Sequence, residues 1–197
     1  MPTLSEIEKA LRSYRPRAVP AGNRTPAAVA MLLRAASGGP KMLLVERACH
    51  PGDPWSGDLG FPGGKLAAGD ADLRQAAVRE TREELRLDLA QAHYFGRLDD
   101  LPGAHLPVVV RCFVFRVPRD VALRPNQELQ AAHWVPLATL YDPARQVMAP
   151  VRFRQSDLLR PAISLPLPGR DILWGITYRL VMALADQVPG LVVQVKN

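Results

Sequence analysis

One stretch constrains this chain more than any other: Phe61 to Leu87, FPGGKLAAGDADLRQAAVRETREELRL, a turn that becomes a charged helix. Pro62 fixes a backbone angle at the turn, and Gly63 and Gly64 take angles closed to other residues and allow close approach of a ligand. Further on, Arg79-Glu80-Thr81-Arg82-Glu83-Glu84 puts three carboxylates within five positions. Glu80, Glu83 and Glu84 stand at i, i+3 and i+4, so a helix presents them on one face. Its other face, Ala77, Val78, Thr81 and Leu85, suits packing on a sheet, and the small Ala76 and Ala77 allow close contact.

Like charges at this spacing weaken an isolated helix by a few tenths of a kcal/mol per pair, roughly. A cation between them reverses that cost, and hard carboxylate oxygens match Mg2+ or Mn2+. Because Mg2+ also binds phosphate oxygens, the stretch points to metal-assisted attack of water on a phosphate compound. A solvated acidic face is the competing reading. The glycine turn feeding the same helix favours the site.

These residues resemble the signature of the Nudix hydrolases: Gly, five residues, Glu, seven residues, Arg-Glu, an apolar residue, any residue, Glu-Glu, any residue, Gly, an apolar residue. The match covers about 24 residues, Gly64 to Leu87, with Arg79, Glu80, Glu83, Glu84 and Leu87 on the motif. The first motif Glu falls on Ala71, between Asp70 and Asp72, either of which can replace it. Gly64 is one residue too far upstream, Thr81 stands at an apolar position, and Arg86 takes the place of the late Gly. A helix exit without a left-handed cap is expected there, since a non-Gly residue adopts that conformation at a cost of roughly 1 kcal/mol. The resemblance implies that Glu80, Glu83 and Glu84 are metal ligands and that Arg79 orients them. It also implies a further Glu in a loop before a Trp-Val strand, as ligand or as base; Glu128, before Trp134-Val135, fits.

The preceding loop resembles the coenzyme A-cleaving branch of that family, whose extra motif is Leu-Leu-Thr-x-Arg-Ser/Ala, three residues, Arg, three residues, Gly, three residues, Phe-Pro-Gly-Gly. Leu43, Leu44, Arg47, Ala48, Gly57 and Phe61 to Gly64 follow it. Thr-x is replaced, the spacing after Ala48 is one longer, and Asp53 stands for the second Arg, a change that repels an anion. Arg47 is the candidate phosphate ligand. Trp55 is a loop anchor, or a surface for stacking a base.

The remaining chain supplies strands and covering helices. Leu4, Ile7, Leu11 and Tyr14 predict an N-terminal helix, with Ser5 as a cap, followed by a loop through residue 26. Ala27 to Leu33 and Lys41 to Val45 predict a hairpin of buried strands. Ala92 to Leu98 and Val108 to Val117 read as strands, the second carrying Arg111 and Arg116. A strand opening with Trp134 and a short helix over Pro136 to Leu140 follow. Val151 to Arg154 alternates like a half-buried strand, and 156–170 reads as a long loop with a short strand near Ile163 to Leu165. Ile172 to Val188 has a helical apolar period with Asp171 as cap, and is expected to pack opposite the charged helix.

The 197 residues are expected to form one domain: helix and loop over 1–26, core over 27–197. No apolar run approaches the roughly 18 residues of a membrane span. The N-terminus has no apolar leader core and the two cysteines have no metal-ligand spacing, so a cytoplasmic setting is expected. The net charge of +6 comes from scattered arginines, without a basic run or aromatic interleaving, which argues against nucleic acid and suits a polyphosphate substrate. A homodimer is compatible with the sequence.

The resemblance implies an α/β fold, the Nudix α/β/α sandwich with a mixed sheet, plus an added C-terminal helix. It implies hydrolysis of a phosphoanhydride in a nucleoside diphosphate joined to another moiety, coenzyme A or a derivative, with Mg2+ or Mn2+ as cofactor. Catalysis then falls to Glu83, Glu84, Glu128 and Arg79, metal binding to Glu80, Glu83, Glu84 and Glu128, and substrate binding to Arg47, Gly63 and Gly64. The rivals are a nucleoside triphosphate or ADP-ribose-type hydrolase, and a non-catalytic nucleotide or RNA-binding module.

Overall fold

The computed structural model describes residues 1–50, 56–104, 106–153 and 156–191. Elements follow in the order α1 (Leu4–Ser13), β1 (Thr25–Arg34), β2 (Lys41–Arg47), β3 (Leu59–Gly60), β4 (Gly63–Lys65), α2 (Leu73–Leu85), β5 (His93–Arg97), β6 (Leu101–Pro102), β7 (Val108–Arg116), β8 (Leu129–Pro136), α3 (Leu137–Leu140), β9 (Gln146–Phe153), β10 (Ser156–Ser164), β11 (Ile172–Trp174) and α4 (Gly175–Gln187). Asp53, Trp55, His105 and Arg154 lie outside the described residues.

A fork in the large sheet places everything else. The expected hairpin of β1 and β2 forms only at its turn, where Leu33 faces Met42 and Arg34 faces Lys41. Beyond that the two strands part. The segment 59–65 fills the gap, β3 pairing with Val45 and Glu46 of β2, and β4 with Ala27 to Val29 of β1. The Pro-Gly-Gly segment is therefore strand as well as turn, and the Ala30 N–H donates to the Pro62 carbonyl inside the fork. On the outer sides, β7 runs parallel to β1 along its length, β5 and β6 pair with β7, and β8 pairs with β2. The sheet is mixed, as expected.

Period-2 alternation gives each strand two apolar faces. Ala28, Ala30, Leu32, Leu43, Val45, Phe113 and Phe115 cover one side and receive Ala76, Ala77 and Leu85 of α2. Met31, Leu33, Met42, Leu44, Cys112 and Val114 cover the other and receive α1, α3 and α4 through Ile7, Leu11, Leu137, Leu140, Leu180 and Leu184. The C-terminal helix thus packs opposite the charged helix, as the apolar period predicts. Ala76 and Ala77 are fully buried. A larger side chain at either would push α2 off the sheet, at about 1–3 kcal/mol.

Several local expectations are corrected. Thr3, not Ser5, caps α1: its hydroxyl accepts the Glu6 N–H while Glu6 returns a bond to the Thr3 N–H. Residues 156–164 form β10, paired with β9 along eight residue pairs, and Ile172–Trp174 is β11, so a second, three-stranded sheet replaces the predicted loop. Because Ile172 to Trp174 are strand, α4 starts at Gly175, and Asp171 does not cap it; the Asp171 carbonyl accepts the Leu165 N–H. β8 opens at Leu129, since Arg47 of β2 pairs with Leu129. Arg111 is half-buried in a bidentate pair with Asp100, which also holds Arg97 and the Val19 N–H and so ties the N-terminal loop to β5 and β7.

Candidate active site

The site starts with two crowded glycines. A Cβ on Gly63 would stand 2.2 Å from the Ala28 carbonyl oxygen and 2.7 Å from the Val29 Cα. On Gly64 it would stand 2.2 Å from Oε1 of Glu80. The β1 backbone requires glycine at 63, whereas at 64 the neighbour is the movable carboxyl end of Glu80; at both positions the close approach expected of a ligand is made by the protein itself. This contact brings the Gly63 N–H to Oε2 of Glu84 at 3.1 Å, joining the turn to the helix.

Upstream of the helix, Asp70 and Asp72 divide the work of the missing motif Glu. Asp72 caps α2, accepting the Gln75 N–H. Asp70 takes Arg79 in a two-pronged bond, Nε to Oδ1 at 2.9 Å and Nη2 to Oδ2 at 3.0 Å, and also accepts the Ala67 N–H. The Arg79 guanidinium holds the Asp70 carboxyl below its ordinary range, with the Ala67 N–H adding to the effect. Arg79 then spends Nη1 on Glu80 at 2.9 Å and on Glu83 at 3.0 Å, and Nη2 on the Lys65 carbonyl. One guanidinium thus joins the loop, the turn and two of the three motif carboxylates.

At the far end of α2 the chain leaves the helix through Arg86 in the left-handed region, φ 54° and ψ 27°. The expectation of an exit without such a cap is wrong. The Arg86 N–H closes on the Arg82 carbonyl, and the chain accepts the conformational cost of roughly 1 kcal/mol at a residue with a Cβ. The helix's last carbonyls, open by geometry, are filled by the loop after β7: the Arg124 N–H donates to Leu85 and the Asn126 N–H to Glu84. The Asn126 side chain accepts the Glu128 N–H at 2.9 Å, and the Glu128 carbonyl accepts the Ala48 N–H. Glu128 is thereby fixed between the end of the helix and the residue following Arg47. Its side chain is exposed.

Glu84 is the electrostatic centre. It is only 3% exposed, and burial pushes its carboxyl up to about 8. The Gly63 N–H opposes that rise, Glu80 reinforces it, Arg47 opposes it and Glu128 reinforces it. All eight predicted site residues, Arg47, Gly63, Gly64, Arg79, Glu80, Glu83, Glu84 and Glu128, therefore fall in one connected neighbourhood. In this conformation Glu80 and Glu83 turn to Arg79, and among the described residues no three carboxylate, imidazole or thiol groups converge as a ready-made metal cage. The donor chemistry nonetheless fits a hard divalent cation. A buried carboxylate with two like-charged neighbours gains a favourable partner when a cation arrives, and releases its proton to bind it.

Sequence reasoning missed one set of contacts here. Arg170 Nη2 donates to the Ser56 carbonyl at 3.4 Å and Trp174 Nε1 to Oδ1 of Asp58 at 3.1 Å. Both reach across more than a hundred residues to the loop that leads into β3, a separation at which no spacing pattern carries a signal.

Comparison with known proteins bears on this arrangement. The NUDIX domain family matches residues 24–155. The mitochondrial coenzyme A diphosphatase NUDT8 of Homo sapiens is 33% identical over 83% of this chain and 70% of its own length. A Nudix hydrolase named NudL of Yersinia pestis is 29% identical over 76% of this chain and 73% of its own. An uncharacterised Schizosaccharomyces pombe protein, C14C4.10c, is 36% identical over 54% of the chain, which spans 35% of that protein. Among solved structures, the M. smegmatis Nudix hydrolase RenU superposes with a TM-score of 0.51 at 24% identity, covering 60% of this chain and 74% of that one. A MutT/nudix family protein of Enterococcus faecalis gives 0.52 at 17% identity over 92% of this chain and 68% of that one. These two share the fold.

Proposed function

The chain belongs to the NUDIX domain family and is a Nudix hydrolase, and from this premise we propose that it cleaves a phosphoanhydride in a nucleoside diphosphate joined to another moiety, with coenzyme A or a derivative as the substrate. The observation that carries the reading is Glu84: a buried carboxylate clasped by the Gly63 N–H and crowded by Glu80 and Glu128, at the foot of the FPGG turn. The upstream residues shared with the coenzyme A motif, from Leu43 to Gly57, and the kinship to a coenzyme A diphosphatase support the substrate class.

Glu80, Glu83, Glu84 and Glu128 would hold the divalent ion, Mg2+ or Mn2+. When bound, that ion offsets charge on phosphate oxygens and makes water more acidic. The residues then divide the remaining work. Arg79, braced by Asp70, keeps Glu80 and Glu83 on the site's face of the helix. Glu128 or one of the helix carboxylates accepts the proton from the attacking water. Arg47, close enough to influence Glu84, binds a phosphate oxygen, where a guanidinium offers paired donors. Gly63 and Gly64 keep the turn against the helix.

The test is a hydrolysis panel in Mg2+ and in Mn2+: coenzyme A, ADP-ribose, NADH, diadenosine polyphosphates and nucleoside triphosphates, products separated by chromatography, with Glu84→Gln in parallel. Adenosine 3′,5′-bisphosphate and phosphopantetheine from coenzyme A are the expected products. Release of phosphate or pyrophosphate from a triphosphate, with coenzyme A untouched, overturns the substrate assignment.

A further inference from the structure

The chain continues past the family match at residue 155 into β10, β11 and α4, and this added part returns to the site's approach. Gly57 has φ +73°, and a Cβ there would lie 2.8 Å from Nη2 and 3.1 Å from Nε of Arg170. The guanidinium therefore rests directly on bare backbone. It spends one N–H on the Ser56 carbonyl, stays exposed, and makes no ion pair with a described carboxylate. Trp174 fixes the same loop through Asp58. The neighbouring Gly169 sits 3.8 Å, measured from a Cβ position, from Oε1 of Glu46. Glu46 precedes Arg47, whose own N–H donates to the Asp58 carbonyl. So the end of β2, the loop 56–58 and Arg170 meet at one corner.

The remaining donors of Arg170, set in a planar fork, suit an anion that offers two oxygens side by side, as a phosphate does. Arg170 reaches Ser56 and Gly57, whereas Glu84 is held by the Gly63 N–H six residues further along the same segment. The upstream motif has Asp53 where the family pattern has a second Arg, and Arg170 brings a guanidinium to Ser56 and to Gly57, the Gly of the same motif. We propose that Arg170 is a specificity-determining residue that binds a phosphomonoester of the substrate, apart from the anhydride that is cleaved. The inference rests on the reading that the substrate is a nucleoside diphosphate derivative.

Calorimetric titration of the full chain with adenosine 3′,5′-bisphosphate and with AMP tests it without reading hydrolysis. Expected is a preference of tenfold or more for the bisphosphate, at an order of magnitude typical of one charge-assisted pair. That preference falls to within about twofold in Arg170→Ala and is partly kept in Arg170→Lys. Equal affinities in the unchanged protein, no binding of either probe, or a preference that survives Arg170→Ala overturns the proposal. Thermal melts of both variants accompany the titrations, and Arg170→Lys keeps the test valid should Arg170→Ala unfold. Failure to cleave coenzyme A would instead sink the substrate reading while leaving this result to be decided by binding.

Discussion

Replacing Glu84 by Gln should stabilise the metal-free protein while disabling it. The exchange keeps the shape and the acceptor for the Gly63 N–H but removes a carboxyl that burial holds near 8 against an ordinary 4.5. A raised carboxyl pKa means the folded state resists ionisation. The neutral form's advantage is complete below 4.5 and is lost as pH rises toward 8, because the unfolded chain ionises freely over that window. Each pH unit in it costs the folded state ~1.4 kcal/mol, so roughly 3 kcal/mol is lost at pH 7 and little at pH 4.5. The side chain is 3% exposed, so solvent screening removes little of this. Urea or thermal unfolding in EDTA reads the difference. Glu84→Gln should exceed the parent by ~2–3 kcal/mol at pH 7, which is about 4–12 °C for a chain of this size, and should converge with it near pH 4.5. Added Mg2+ should raise the parent's midpoint more than the variant's, and the variant's turnover should fall at least about tenfold. An equal offset at both pH values, or a variant less stable at pH 7, would refute the claim that buried charge is the cost at this position.

Three further outcomes follow from the geometry. Arg86→Gly should stabilise the fold by ~1 kcal/mol in chemical denaturation, because glycine takes the left-handed exit without a Cβ penalty; a loss of stability would show that the Arg86 side chain contributes more than its backbone strain costs. Gly63→Ala should lower stability by about 2 kcal/mol or more, since its Cβ meets the Ala28 carbonyl and the Val29 backbone rather than flexible side chains, and a neutral melt would contradict the crowding argument. Asp70→Asn should cut kcat by about tenfold with a smaller change in KM, because Arg79 loses its brace and lets Glu80 and Glu83 drift; unchanged kcat would confine Asp70 to the loop.

The local stretch Phe61 to Leu87 determined much of this protein by itself. Helical spacing put Glu80, Glu83 and Glu84 on one face, the i, i+4 step paired Arg79 with Glu83, and small alanines marked the face that meets the sheet. These are short-range consequences of a 3.6-residue period, and they are legible because neighbours in sequence are neighbours in space. The choice of Asp70 over Asp72 as the brace for Arg79 was open in the sequence. It became determined when the turn 65–70 folded onto the helix. The left-handed Arg86 likewise runs against local preference, and survives because the loop at Arg124 and Asn126 fills the carbonyls around it. Residues 156–170 read as a long loop with only a short strand near Ile163 to Leu165 because prolines and polar residues broke the pattern, yet pairing with β9 made 156–164 strand, and Ile172 to Trp174, read as the start of a helix, became strand by pairing with β10. Only tertiary structure split β1 from β2 to admit Gly63, buried Glu84 until its charge became costly, and brought Arg170 to Gly57. Each of those depends on contacts between distant segments, which no period in the sequence records.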